Sequence, residues 1–559
     1  MAVESWEKSY PKGVSWAEPL PPPRPVQRLL EDAAARWPEV VAGDFYDRRF
    51  TYADWLGLAR RAAKGFRALG VGPGVGVGLH LPNTPHYLVA FFGVLMAGGR
   101  VVNFSPLYAP RELRHQLVDS EVRVMVTLDL GSLYPQIAAL KGEGKLAAVV
   151  VGSLEDFLPA AVARALAGPP AERRPGPGAE VDFRALIDND GVLAPPLPDP
   201  PSDEIAVLQY SGGTTGEPKG AMLTHGNLMS AVAMRDRWTA DRLERGTESV
   251  LVVLPLFHVY GMSMVMLVAV AIGMRMILHL RFDAERVLAD IAAKRPTLFS
   301  GVPTMFAALL QHPRARDFDL SALRHCTCGG APLPREILLG FERLTGLAIV
   351  EGYGLTECSP ILTLSPTDGS ARPGTVGLPC PNTLIEIVDL ETGTRVLPAG
   401  EAGEVCARGP QVMKGYWKRP EATAEAFAGG RFHTGDIGIL DADGFLTLVD
   451  RKKDMILSGG FNVFPRVVEE AIYEHPDVAA VTVIGIPDPY RGEAAKAFIA
   501  LKPGATLAFE ELKRFLAERL GRHEMPAEME LRDRLPKTPV GKLSKKELVA
   551  EERAKRGLG

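Results

Sequence analysis

Apolar and polar positions change their period several times along the 559 residues of this chain. Residues 26–37 and 52–69 carry apolar side chains at helical spacing. The second run is opened by Thr51 and Asp54, three residues apart, the reciprocal pair that starts a helix. Phe45 to Phe50 between them reads as a hairpin. Short apolar runs then alternate with helical stretches, with strands at 75–81, 100–104 and 122–127 and helices at 87–96 and 110–117. Parallel strands need a crossover of a dozen or more residues, usually a helix, so this alternation predicts a layered α/β domain on a largely parallel sheet. It resumes beyond residue 205. The most hydrophobic window, 259–280, is broken by Gly261, Gly273, Arg275 and His279, so it reads as a buried helix and strand, too interrupted to span a bilayer.

Near residue 375 the texture becomes strand-like runs separated by glycine turns, and past 455 it becomes a small mixture of helices and strands. The expected organisation is an arm over 1–26, a large domain over 27–450 with a β-rich subdomain at about 375–450, a hinge at 451–454, and a C-terminal domain over 455–559. The fold class is α/β: a large N-terminal domain of layered α/β subdomains plus a β-rich subdomain, with a small α+β C-terminal domain. The proline run 19–25 predicts an extended arm. Residues 153–178 read as a surface insertion whose amphipathic part, around Phe157, is a candidate for membrane contact.

Composition excludes little. Lys and Arg number 63 against 67 Asp and Glu, a net charge of −4, which does not describe a general nucleic-acid binder. The five cysteines contain no CxxC pair and suit reduced thiols in a cytoplasmic protein. The first residues lack the apolar core of a signal peptide.

The chemistry is concentrated in a few stretches. Ser211, Gly212, Gly213, Thr214, Thr215, Gly216 and Lys219 lie between an apolar run and a helical one. Glycines that let N–H groups point inward, hydroxyl donors and a lysine together make a phosphate cradle. It is not a Walker A loop, because Glu217 and Pro218 separate the last glycine from the lysine. Gly330 and Ala331, with Glu351, Gly352, Tyr353 and Gly354, allow a flat purine to approach the backbone, with Tyr353 offering a ring to stack on. Thr356 can donate to phosphate and Glu357 can hold Mg²⁺, a cation that prefers carboxylate oxygen. Asp436 is placed to bridge ribose hydroxyls, and Arg451 to bind ribose or phosphate. His258 follows a strand and is expected to stand at the mouth of a pocket.

These motifs, in this order over roughly 205–545, resemble the adenylate-forming superfamily. The stretches 433–453, 105–113 and 454–463 resemble bacterial long-chain fatty-acid–CoA ligases over nearly the whole chain. That resemblance implies ATP, Mg²⁺ and coenzyme A, with a fatty acid as the substrate. It implies Lys542, Glu357 and Thr356 as catalytic residues, a mobile C-terminal domain turning about Lys453, and a coenzyme A loop at Ser458, Gly459 and Gly460. The acyl pocket would be built from His258, Val259, Met262 and Gly301. Gly430-Arg431-Phe432 stands where relatives usually have Gly-Trp-Leu, and Gly212-Gly213 where many have Thr or Ser before Gly. Relatives also suggest a homodimer and peripheral contact with the inner face of the cell membrane. A medium-chain ligase, an aryl (coumarate-type) CoA ligase and a non-catalytic fatty-acid-binding or uptake protein remain alternatives.

Overall fold

The computed structural model describes residues 6–173, 176–211, 218–458, 461–538 and 543–556. Two large sheets form the N-terminal part. A seven-stranded sheet runs in the order Ala179–Asp182, Ala148–Gly152, Val122–Leu128, Gly76–Leu79, Arg100–Asn103, Ile205–Ser211, Lys219–Thr224. It is parallel except for its last pair, which flanks the expected phosphate cradle as an antiparallel hairpin. A nine-stranded sheet has a parallel centre from Val41–Phe45 to Ile349–Tyr353, including Ser249–Val252, Leu298–Gly301 and His325–Cys328. One continuous apolar core joins both sheets and the helices between them. The helix Pro85–Met96 is buried on every face, which accounts for its lack of polar periodicity.

Local signals and packing agree at helix Tyr52–Ala68. Thr51 Oγ1 accepts from the Asp54 N–H at 3.1 Å while Asp54 Oδ2 accepts from the Thr51 N–H at 2.9 Å. The expected hairpin is present as Val41–Phe45 paired with Arg48–Thr51. The hydrophobic window 259–280 forms a π-helical segment Tyr260–Leu267, a short helix Val268–Ile272 and strand Arg275–Leu278. Periodicity at 3.6 residues cannot announce a π-helix, whose turns are wider.

A four-stranded antiparallel sheet, Leu384–Val388, Ala402–Arg408, Phe432–Leu440 and Leu446–Arg451, forms the β-rich part. Beyond it the strands Ile456–Ser458, Phe461–Val463, Val478–Asp488, Gly492–Leu501 and Glu528–Leu531 form one sheet, with helices Pro465–Tyr473, Phe509–Leu516 and Lys545–Lys555. This unit has apolar clusters of its own, separate from the large core.

Two expectations need correction. The segment expected as an arm is a strap. Trp6 and Tyr10 are buried against Trp238, Leu378 and Phe445. Trp16 Nε1 donates to Thr383 O at 2.8 Å, and Val26 N–H donates to His225 Nδ1 at 3.0 Å. Phe157 is the second case. Its ring packs edge-on against His86 at 4.7 Å and Phe50 at 5.5 Å, so the side chain expected to meet a membrane is half-buried against the edge of the core. The amphipathic run around it is broken at Pro159 into Leu154–Asp156 and Ala160–Ala167. No helix among the described residues is long and apolar enough to cross a membrane. All five cysteines are buried and unpaired.

Candidate active site

The hairpin Ile205–Ser211 and Lys219–Thr224 sets Ser211 directly opposite Lys219 at the two ends of the cradle. Gly212, Gly213, Thr214, Thr215 and Gly216 lie outside the described residues. Ser211 Oγ donates to Glu357 Oε1 at 3.1 Å, and Tyr416 Oη donates to the same oxygen at 2.9 Å. Lys219 Nζ lies 5.2 Å from the centroid of the Tyr416 ring. A nearly buried carboxylate, two hydroxyls and a cation therefore meet where three separate segments cross. Glu357 sits in the single turn Thr356–Cys358, and Thr356 lines the same cavity. The chain can reach there only because position 354 is glycine, since a Cβ on Gly354 would fall 1.7 Å from Pro360 O. Tyr416 arrives because residues 415–417 run beside the hairpin, with Trp417 N–H donating to Gly220 O at 2.8 Å. Sequence reasoning missed Tyr416. Its only signal was an aromatic pair in a loop, which is common and unspecific.

A second cluster forms around Asp436. Register places Asp436 opposite Arg451 on neighbouring strands, and Arg451 Nε pairs with Asp436 Oδ1 at 3.1 Å. Tyr353 Oη donates to Asp436 Oδ2 at 2.6 Å. Burial, reinforced by the facing Asp436 charge, pushes the Tyr353 phenol well above its ordinary pKa, so it stays a donor. The sequence suggested a ring for stacking; the structure commits the hydroxyl as well, as a prop for the carboxylate. Gly330, Ala331, Glu351, Gly352 and Gly354 line the adjoining wall. Gly330 has φ +81°, a conformation that favours glycine. Burial raises the Glu351 carboxyl to about 7, against the opposing pull of Arg466.

Both clusters open on one cavity of about 3030 Å³. Part of it runs back along the parallel strands, from Gly329 and Val302 past their carboxyl ends to Val250 and Leu298 near their starts. His258 and Val259 line it, as expected. Met262 and Gly301 are not on its wall. The Met262 sulfur instead accepts from Asn103 Nδ2 at 3.3 Å, and Gly301 is closed in by Phe306 and Phe299, 3.1 and 3.3 Å from where its Cβ would stand. The wall takes Tyr260, Met264, Val265 and Val268 from the π-helical segment and the turn after it.

The sequence matches the AMP-binding enzyme family over residues 30–417 and the AMP-binding enzyme C-terminal domain over residues 467–542. The chain belongs to the AMP-binding enzyme family. It is 41% identical over 558 residues to a long-chain-fatty-acid–CoA ligase of Bacillus subtilis (strain 168), covering 98% of each chain. It is 38% identical over 504 residues to a feruloyl-CoA synthase of Amycolatopsis sp, covering 89% of this chain and 93% of that one. The crystal structure of the anthranilate CoA ligase AuaEII in complex with anthranoyl-AMP matches with a TM-score of 0.84 at 27% identity, over 96% of this chain and 99% of that one.

In this AMP-binding enzyme the C-terminal unit closes one side of the cavity. Lys537, Thr538 and Leu543 line it, and Lys537 and Leu543 form a bridge across residues 538–542. Lys542 itself lies outside the described residues, as do Gly459 and Gly460. Ser458 is buried on strand Ile456–Ser458 and is absent from the lining. Lys453, at the expected hinge, is exposed at the cavity rim, where desolvation lowers its pKa against the opposing charge of Asp454. Arg466 N–H, in the first turn of helix Pro465–Tyr473, donates to Asp450 Oδ2 at 2.8 Å, and Lys545 pairs with Glu469 at 3.2 Å. No group of three or more potential metal-ligating side chains occurs among the described residues. Glu357 fits Mg²⁺ of the kind held by one carboxylate, phosphate oxygens and water. Both of its described hydrogen bonds fall on Oε1, and Oε2 carries none among the described residues.

Proposed function

We propose that this AMP-binding enzyme is a long-chain fatty-acid–CoA ligase. It joins the acid to coenzyme A through an acyl-adenylate and releases AMP and pyrophosphate. The observation that carries the reading is the continuity of its cavity. The charged clusters at Glu357 and Asp436 open into an apolar recess that runs the length of the neighbouring strands. The apolar side chains on its wall, among them Met264, Val265, Val268, Val250 and Leu298, favour an alkyl chain over the substrate named for the feruloyl-CoA synthase. The relative from Bacillus subtilis carries the same activity in its name.

In the first half-reaction a carboxylate oxygen attacks the α-phosphorus of ATP, and the bond to the bridging oxygen breaks as pyrophosphate leaves. Both reactants are anions, so positioning and charge neutralisation supply most of the acceleration. The cradle 211–219 with Lys219 holds the phosphates, Asp436 accepts from the ribose hydroxyls, and Arg451 steadies Asp436. Lys542 bridges the attacking carboxylate and the α-phosphate. Glu357 would hold Mg²⁺, which would supply positive charge against the phosphate oxygens. In the second half-reaction the coenzyme A thiol attacks the acyl carbonyl and AMP departs. The C-terminal domain turns about Lys453 to bring Ser458, Gly459 and Gly460 in place of Lys542.

The test separates the two steps. Lys542→Ala should lower fatty-acid-dependent pyrophosphate exchange by about 100-fold or more, while thioester formation from supplied acyl-adenylate survives. Equal loss of both steps would remove the assignment. Rates with palmitate, octanoate and coumarate should fall in that order.

A further inference from the structure

The ribose-binding residue Asp436 stands on an irregularity of the β-rich sheet. Between strands Ala402–Arg408 and Phe432–Leu440, Glu404 faces Ile437 and Cys406 faces His433, so the single Val405 faces three residues, 434–436. The resulting bulge leaves the ladder and carries Thr434, Gly435 and Asp436 onto the cavity wall. Backbone released from a ladder needs other partners. Asp436 N–H donates to Thr434 Oγ1 at 3.1 Å, and that hydroxyl donates to Val405 O at 2.7 Å. Gly435 N–H donates to Glu404 Oε1 at 3.2 Å.

Glu404 does more than close the bulge. It is only 4% exposed, and its second oxygen, Oε2, accepts from Lys452 Nζ at 3.1 Å and lies 3.3 Å from His433 Nδ1. Lys452 immediately precedes the pivot assigned to Lys453, and Glu404 is its only ion-pair partner among the described residues. The backbone of Lys452 is tied to the same bulge, its N–H donating to Gly435 O at 2.9 Å. Beyond it the partners change: the Asp454 and Met455 N–H groups return to Arg451 O at 3.0 and 3.1 Å, within the hinge itself. One buried carboxylate therefore stands between the bulge that presents Asp436 and the last residue of the hinge fastened to the large domain. A buried carboxylate is costly unless donors face it, so losing Lys452 alters how Glu404 holds Gly435.

We infer that Glu404 is a positioning residue that couples the nucleotide site to the hinge: Oε1 sets the bulge that offers Asp436 to the ribose, and Oε2 tethers Lys452 beside the pivot. Coupling of this kind is reciprocal. A nucleotide that steadies the bulge tightens the tether, and a loosened tether weakens nucleotide binding. Fastening Lys452 by both backbone and side chain also confines rotation to the residue that follows it. The rotation rests on the ligase reading; the nucleotide rests on the family alone.

The experiment uses the full-length enzyme and AMP. Calorimetry gives the affinity, and amide exchange of residues 451–455 with and without AMP reports the tether, since the amide of residue 452 is the one bonded to Gly435. Lys452→Met should weaken AMP binding several-fold. Glu404→Gln keeps an acceptor for the Gly435 N–H but drops the charge, and should weaken it at least as much. The double variant should bind no more weakly than Glu404→Gln alone, because both changes act through one contact. AMP should slow exchange at 451–455 in wild type and do so less in Lys452→Met. A Glu404 that only closes the bulge would leave AMP affinity and its effect on exchange unchanged in Lys452→Met, and that result would overturn the inference. Two single effects that simply add would overturn it too. Should Glu404→Gln fail to fold, Lys452→Arg decides: AMP affinity restored by the retained charge supports the tether, and a loss equal to that of Lys452→Met rejects it. A wild type that forms no acyl-adenylate from any fatty acid would reject the ligase reading, and the AMP measurements would still decide the coupling.

Discussion

The two halves of the site are held in different ways. On the large domain each key carboxylate is braced by two donors from distant segments: Glu357 by Ser211 and Tyr416, Asp436 by Tyr353 and Arg451. The C-terminal unit meets the large domain at Arg466, whose backbone N–H donates to Asp450 Oδ2. It also leaves large apolar side chains in water, with Tyr490 95% exposed, Phe461 59% and Leu457 54%. A site that must serve two reactions needs one part that keeps its geometry and another that can be exchanged. Multiple braces suit the first and isolated contacts the second.

The sharpest way to break the contrast is at a braced carboxylate. Glu357→Gln keeps the shape but removes the charge, and should lower adenylation roughly 100-fold while raising the Mg²⁺ concentration needed for half-maximal rate. Magnesium titration of pyrophosphate exchange checks this, and an unchanged metal requirement would refute the ligand role. A smaller effect is expected at the docking contact. Asp450→Ala removes the acceptor at the start of helix Pro465–Tyr473, where a carboxylate also favours the helix dipole. It should change the ratio of the two half-reaction rates several-fold, by roughly 1 kcal/mol of lost docking, without abolishing either. Equal rate changes in both steps would point to general damage instead.

The remaining effect is on stability and leaves the rates aside. Glu351 titrates at about 7 in the folded protein, above its ordinary value near 4.5, because of burial. Folded protein then binds this proton more tightly than unfolded protein does. The stability linked to it is full below about pH 4.5 and is lost as the pH rises through about 7. Glu351→Gln, which stays neutral, should therefore gain on wild type as the pH rises from 5 to 8, by on the order of 2 kcal/mol or less given the water in the cavity. Thermal unfolding of both proteins at the two pH values checks the sign.

What could be seen in the sequence was what neighbours in sequence decide. Thr51 and Asp54 announced a helix because both partners of the capping box lie within one turn. The order of the motifs announced the family because each motif is a contiguous run. The braces were hidden. Tyr416 reaches Glu357 across 59 residues and Tyr353 reaches Asp436 across 83, and no local pattern encodes either pairing. The resemblance implies Met262 and Gly301 as acyl-pocket residues, yet which side of a segment faces a cavity depends on its winding. The strap at the amino end was hidden for a related reason: a proline-rich run is extended whether or not something lies beneath it.

That strap has a reach beyond its own contacts. Trp238 belongs to the wall of the recess and also lies 5.0 Å, ring centre to ring centre, from Tyr10. The first residues of the chain thus back a side chain of the cavity wall. Trimming them would uncover the outer face of the Trp238 ring, so the amino end is part of what holds that wall in place.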